Sequence, residues 1–169
     1  MNDWVQRARA GDGEAFVTLI RAREQSLYKI ARSFCRDPMD AEDAVAETVL
    51  DAWERLDTLK KPARFKTWLT TILVNNCRDI LRQRQRVVAL EEVPERTPRE
   101  DDHSGLYFEE LMACLPENCR PVMTLYYSEG FRVREIGEIL GIPTGTVTVR
   151  LKRGREQLRE KMRKGEILL

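Results

Sequence analysis

The 169 residues carry 29 Lys and Arg against 28 Asp and Glu, a formal net charge of +1, with 34% charged and 7% aromatic side chains. That length suits one mid-sized domain or two small ones, no run of about 18 apolar residues offers a membrane span, and Asp12 and Glu14 fall where a secretory leader would need apolar residues. The four cysteines (Cys35, Cys77, Cys114, Cys119) form no CxxC pair and His103 is the single histidine, so a disulfide framework, a metal site and a bound cofactor are not expected, and a cytoplasmic protein is.

In chain order, the apolar stripe Phe16, Leu19, Ile20, Leu27, Ile30, Ala31 and Phe34 predicts a helix over 13–34. Asp37-Pro38 reads as an N-cap followed by proline at the first helical position. The helix it opens has an apolar face of Ala41, Ala44, Val45, Thr48, Val49, Ala52, Trp53 and Leu56. Asp40, Asp43, Glu47, Asp51 and Glu54 line its other face. After Lys60-Lys61-Pro62 a further helix turns Trp68, Leu69, Ile72, Leu73, Cys77, Ile80 and Leu81 inward and Thr71, Asn75, Arg78, Arg82 and Arg86 outward.

From 87 to 105 the periodicity gives way to Glu, Asp, Pro and Ser, the composition of a flexible acidic linker. The second unit starts near Leu106 with Leu111, Met112 and Leu115. Pro116 reopens a helix through Val122, Met123 and Tyr126, which Gly130 stops. A short helix from Arg132 to Leu140, the turn Gly141-Ile142-Pro143 and a long Arg-rich helix over 144–164 make a helix-turn-helix pattern. Ile136, Ile139, Leu140, Ile142, Val147, Leu151 and Leu158 supply its core, and Gly154 on that stripe marks a close helix–helix approach. The expected architecture is all-α: two small helical domains, 1–88 and 106–169, joined by the linker 89–105.

Near-neutrality conceals a segregation of charge. Residues 37–57 hold 8 acids and one Arg, net −7; residues 60–86 hold 8 bases and one Asp, net +7; residues 150–164 hold 8 bases and 2 acids, net +6. Local fields of that size select partners where the whole-chain charge does not. In a helix-turn-helix the second helix enters the major groove, where Thr144, Thr146, Thr148, Arg150 and Arg153 would reach base edges and Lys152, Arg155 and Arg159 phosphates. The bland alternative, a solvated basic helix, does not explain the spacing of Ile136, Ile142 and Val147. The 60–86 window, with Asn75, Phe65 and Trp68, suits single-stranded DNA, although Trp68 on the apolar stripe reads first as core. The acidic face would repel DNA and fits a protein partner; a merely solvated face is the competing account.

Catalysis finds little support. His103 sits in the linker, no Gly-rich loop cradles phosphate, and Cys77, Cys114 and Cys119 read as core. Asp40, Asp43 and Glu47 lack a second carboxylate cluster with which to hold a metal. The chain is expected not to be an enzyme.

Two stretches together resemble a known family. Asp40-Ala41-Glu42-Asp43-Ala44-Val45 with Ala52-Trp53 and Phe65-Lys66-Thr67-Trp68-Leu69 is similar to region 2 of the extracytoplasmic-function (ECF) group of bacterial sigma factors. Leu115-Pro116-Glu117, Glu135-Ile136-Gly137-Glu138-Ile139-Leu140-Gly141-Ile142-Pro143-Thr144-Gly145-Thr146-Val147 and Arg150-Leu151 are similar to region 4 of the same group. The resemblance implies a specificity subunit that binds core RNA polymerase through Asp40, Asp43, Glu47, Asp51 and Trp53. It implies that Lys60, Lys61 and Arg64 in the loop over 59–64, with Asn75, Arg78 and Arg82, hold the melted −10 strand with one base flipped out. It further implies that Thr144, Thr146, Thr148, Arg150, Lys152, Arg153 and Arg155 bind the −35 element as duplex, and that the linker threads toward the polymerase active site. A separate anti-sigma factor is the implied inhibitor; neither a small-molecule substrate nor membrane insertion is implied.

The chain departs from the group's usual pattern at Ala46 and Val49, at Thr148-Val149 and at Gly154, and the second departure changes the base-reading chemistry. A stand-alone helix-turn-helix regulator is the alternative reading. The acidic helix and the Phe65–Leu69 block discriminate against it, since a repressor needs neither.

Overall fold

The computed structural model describes residues 2–90 and 106–165, and the chain divides into two compact units, Met1–Arg96 and Thr97–Leu169. Every regular element among the described residues is helical. His103 and residues 91–105 of the stretch read as a linker lie outside the described residues.

The first unit opens with α1 (Asn2–Arg9), which sequence periodicity did not single out. Gly11 at φ 94° then turns the chain, and Asp12 caps α2 (Gly13–Arg21), accepting from the Ala15 N–H at 3.0 Å and pairing with Arg7 at 2.7 Å. The Ala15 N–H foremost, with the Arg7 guanidinium, holds the Asp12 carboxyl below its ordinary value. The expected single helix over 13–34 is two: α2 ends at Arg21, and α3 runs Glu24–Phe34. The corner at Ala22 and Arg23 has ordinary negative φ and needs neither Gly nor Pro, so no residue type announces it.

Asp37 caps α4 (Pro38–Glu54) by accepting from the Met39 N–H at 2.9 Å, with Pro38 at its first position as the pattern required. Short 3-10 turns at Leu56–Thr58 and Pro62–Arg64 lead to α5 (Phe65–Leu90), which carries past residue 87, where the periodicity fades. Helices α4 and α5 pack on each other, with Ala41, Ala44 and Ala52 fully buried, so small side chains let the backbones approach. Phe65, Leu69, Leu73, Val74 and Cys77 of α5 and Leu27, Ile30 and Ala31 of α3 complete the core; each large aliphatic is worth about 1.5–3 kcal/mol of burial.

In the second unit α6 (Leu106–Ala113) precedes a turn through Leu115 and Pro116. The helix expected from Pro116 starts later: α7 is Arg120–Met123, and it widens into a π-helical turn at Thr124–Ser128, closed by the Glu129 N–H on the Thr124 carbonyl at 3.1 Å. Gly130, at φ 68°, ends it. Helix α8 (Val133–Leu140) has its N-terminus closed by the Arg132 N–H on Glu135 at 2.9 Å and its C-terminus by Gly141 at φ 63°. Ile142-Pro143 then set the start of α9 (Thr144–Arg163).

The sharp α8–α9 turn depends on Gly137. A Cβ there would come within 2.9 Å of the Ile142 carbonyl oxygen, while the Ile142 N–H donates to the Gly137 carbonyl at 3.0 Å. Ile136, Ile139, Leu140, Val147 and Leu151 are buried as expected, together with Leu115, Val122, Leu125 and Phe131. Gly154 is buried against Met123, as its place on the stripe predicts.

Candidate functional site

Three surfaces carry the residues singled out above.

The first is α4, and its charges are not all outward. Asp40 is only 5% exposed, its Oδ1 2.7 Å from Nη2 of Arg84 on α5, and the same guanidinium lies 3.0 Å from Asp37. Burial pushes the Asp40 carboxyl above its ordinary value, with Arg84 pulling the other way. Asp40 thus joins α4 to α5 internally and does not belong to the outward acidic face. Asp51 is half-buried, accepting from Asn76 Nδ2 at 3.0 Å and pairing with Arg55 at 3.3 Å. Asn76 Nδ2 also donates to Thr48 Oγ1 at 3.2 Å, and the Thr48 hydroxyl bonds back to the Ala44 carbonyl at 2.6 Å.

What faces outward is Asp43, Glu47 and Glu54, interleaved with Met39 (49% exposed), Leu50 (61%) and Trp53 (44%). Trp53, expected on the inward stripe, leans its ring on Phe16 at 5.0 Å and leaves the rest in solvent. Met39, Ala46, Leu50 and Trp53 recur at helical spacing, so an apolar ridge runs between the carboxylates. Met39 and Leu50 lie off the apolar stripe that periodicity picks out on this helix. An apolar centre rimmed by one sign of charge is the composition of a protein-binding face.

The second surface is the loop before α5. Leu59, 2% exposed, anchors it in the core, and Trp68 donates from Nε1 to Thr58 Oγ1 at 3.3 Å while tilting on Phe65 at 5.9 Å. Trp68 is therefore neither simple core nor free platform: it ties the loop to the helix. Helix α1 packs against the Pro62–Arg64 turn from the other side. On this support Lys60, Lys61 and Arg64 are exposed, as are Asn75 and Arg82 on α5, while Arg78 is half-buried. Arg82 pairs with Asp79 at 2.9 Å.

The third surface is α9. Val147, Leu151 and Gly154 are buried, which turns Thr144, Thr148, Val149, Lys152 and Arg153 to solvent and leaves Thr146, Arg150 and Arg155 half-buried on its flanks. The Thr148 hydroxyl donates to the Thr144 carbonyl at 3.1 Å, so toward a partner it presents its methyl group and oxygen lone pairs. Lys152 lies 3.9 Å from Glu156. Val149 is 65% exposed, an apolar side chain at the centre of a cationic face. In the same unit, Tyr126 and Tyr127 stand in solvent, ring centroids 4.9 Å apart and nearly perpendicular.

The described residues thus present an apolar and acidic face on α4, a cationic loop with the helix that follows it, and, in the second unit, a helix-turn-helix. The Sigma-70 region 2 family matches residues 14–87 and the Sigma-70, region 4 family residues 105–158. The probable RNA polymerase sigma factor RfaY of Xanthomonas campestris pv. campestris is 31% identical over 171 residues, covering 92% of this chain and 42% of that protein's length. The ECF RNA polymerase sigma factor SigW of Bacillus subtilis is 28% identical, covering 94% of this chain and 95% of that one. Among solved structures, the sigma factor RpoE of Bartonella quintana, crystallised with the anti-sigma factor NepR, superposes with a TM-score of 0.77 at 26% identity, covering 88% of this chain and 96% of that one.

The chain belongs to the ECF group of the sigma-70 family of RNA polymerase sigma factors. No helix among the described residues is long and apolar enough to cross a membrane.

Proposed function

We propose that the three surfaces divide the work of promoter recognition among them. The ridge of Met39, Leu50 and Trp53, with Asp43 and Glu47 beside it, docks on core RNA polymerase; Asp51 contributes through its half-exposed edge, and Asp40 acts only by holding α4 to α5. Lys60, Lys61, Arg64, Asn75, Arg78 and Arg82 track the melted −10 strand, cations on phosphates and Asn75 toward an unstacked base. On α9, Thr144, Thr146, Arg150 and Arg153 face base edges, Thr148 and Val149 offer methyl groups to thymine, and Lys152 and Arg155 hold phosphates.

Two modest DNA contacts joined through the polymerase gain effective concentration, so neither needs high affinity alone. Phosphodiester chemistry belongs to the polymerase, and this chain works in the cytoplasm as a binding subunit rather than an enzyme. An anti-sigma protein that covers the α4 ridge or the α9 face would silence it; a sigma factor held by such a protein is the state of the Bartonella relative.

The observation that carries this reading is the apolar-and-acidic α4 face in one chain with a cationic helix-turn-helix. A stand-alone regulator has use for the second and none for the first. The test is transcription in vitro with sigma-free core polymerase on fragmented genomic DNA, with 5′ ends mapped with and without the protein. New discrete starts that share two upstream motifs are the expected result. Duplex binding by the protein alone without new starts would favour the regulator.

A further inference from the structure

One side-chain contact ties the recognition helix to the turn that precedes α8. Arg155 Nη1 donates to the Tyr127 hydroxyl at 3.3 Å, linking α9 to the π-helical turn Thr124–Ser128. Helical spacing places Arg155 on the same flank of α9 as Thr144, Thr148 and Arg159. Tyr127 is 55% exposed, so the pair sits at the surface and is not a core tie. The π turn is what brings it there: Val122, Met123, Thr124 and Leu125 are consecutively buried, and the widened turn then delivers Tyr126 and Tyr127 to solvent. Single π turns are rare and recur at functional sites.

The chemistry of the pair is specific. A phenol that accepts from a guanidinium keeps its own hydrogen, and the cation polarises that O–H into a better donor. Arg155 keeps its remaining N–H groups. The arrangement therefore presents an O–H and a cationic N–H side by side, two donors matched to two oxygens of one tetrahedral anion. The duplex reached by the neighbouring Thr144 and Thr148 offers a phosphate at every step.

We infer that Tyr127, outside the recognition helix, is a DNA-backbone contact: its hydroxyl and the Arg155 guanidinium together hold one phosphate of the −35 duplex. The inference rests on the reading of α9 as the −35 helix. Tyr127 then acts by position and not by sequence. Losing it weakens every −35 sequence alike, and it anchors the register in which Val149 and Arg153 meet the bases.

The test uses holoenzyme assembled from the full chain and core polymerase, titrated at several salt concentrations with promoter duplexes from the mapped starts. Tyr127→Phe keeps the ring and its packing on Tyr126, and an unchanged thermal midpoint excludes a folding defect. It is expected to weaken promoter binding roughly threefold to tenfold, equally across −35 variants, with an unchanged salt slope. Arg155→Ala is expected to weaken it further and to lower the slope by about one. The double variant should lose less than the product of the two. On duplexes carrying a neutral methylphosphonate at each backbone position in turn, one position should erase the difference between wild type and Tyr127→Phe.

Wild-type affinity in Tyr127→Phe, a loss that persists at every methylphosphonate position, or a loss of core-polymerase binding would each overturn the contact alone. A wild-type holoenzyme indifferent to −35 sequence would overturn the α9 reading and the contact with it.

Discussion

In the first unit part of the charge on α4 is tied to neighbouring side chains: Asp40 is buried against Arg84, and Asp51 is held between Asn76 and Arg55. In the second, none of the cations on α9 is buried, and the helix is seated by Val147, Leu151 and the close approach at Gly154. The same count of charges thus means different things. On α4 it overstates the outward field and hides an apolar ridge. On α9 it is close to the field a partner meets. A charged window predicts a binding face only after the charges tied across helices have been subtracted, and those ties need a cation or amide on a neighbouring helix, far away in sequence.

The comparison breaks if the outward residues of α4 prove inert. Asp43→Lys with Glu47→Lys should weaken core-polymerase binding about thirtyfold, ~2 kcal/mol, with little change in thermal stability, as read by competition against a labelled sigma factor. Smaller, but global for its unit, is Gly137→Ala. The added methyl meets a backbone oxygen, and overpacking of about 1–3 kcal/mol is only partly offset by a gain of up to about 1 in helix propensity, so denaturant unfolding should show a net loss of about 1–2 kcal/mol.

Arg84→Ala sharpens the inward side of the contrast. It strands Asp40 and should cost about 1 kcal/mol at neutral pH, discounted because Arg84 itself is part-exposed. The sign with pH is fixed by Asp40. Its folded-state value is already raised by burial, and removing Arg84 raises it further, so the neutral carboxyl is the form the folded state tolerates. The deficit should be largest above that folded-state value and shrink as pH falls through it, which a stability series from pH 7 to roughly 4 would follow. Gly154→Ala should change least, within about 1 kcal/mol, because the atoms it meets are the flexible Cγ and Sδ of Met123.

Much of this was legible where residue type dictates backbone. Asp37-Pro38 marked the start of α4, Gly141 at φ 63° and Pro143 marked the helix-turn-helix corner, and Gly154 announced its close approach. The corner at Ala22 and Arg23 was not legible, because both residues suit a helix and neither is Gly or Pro. The π turn at Thr124–Ser128 also leaves no residue signature. In the candidate site, α9 was read nearly as it stands, since periodicity about Val147 and Leu151 decides which side faces out. The burial of Asp40 and the exposure of Leu50 and Trp53 escaped, because α4 has small alanines inward and larger apolar residues outward, the reverse of the usual sorting.

The central claim is a division of labour between the α4 ridge and the α9 face. Its most direct measurement is core-polymerase affinity, side by side, for Asp43→Lys/Glu47→Lys and Arg150→Ala/Arg153→Ala, with promoter binding by the second measured as assembled holoenzyme. The account predicts that the first variant loses the polymerase, whereas the second keeps it and loses the −35 element. Equal polymerase affinity in both variants, or loss of polymerase on changing α9 alone, would contradict it.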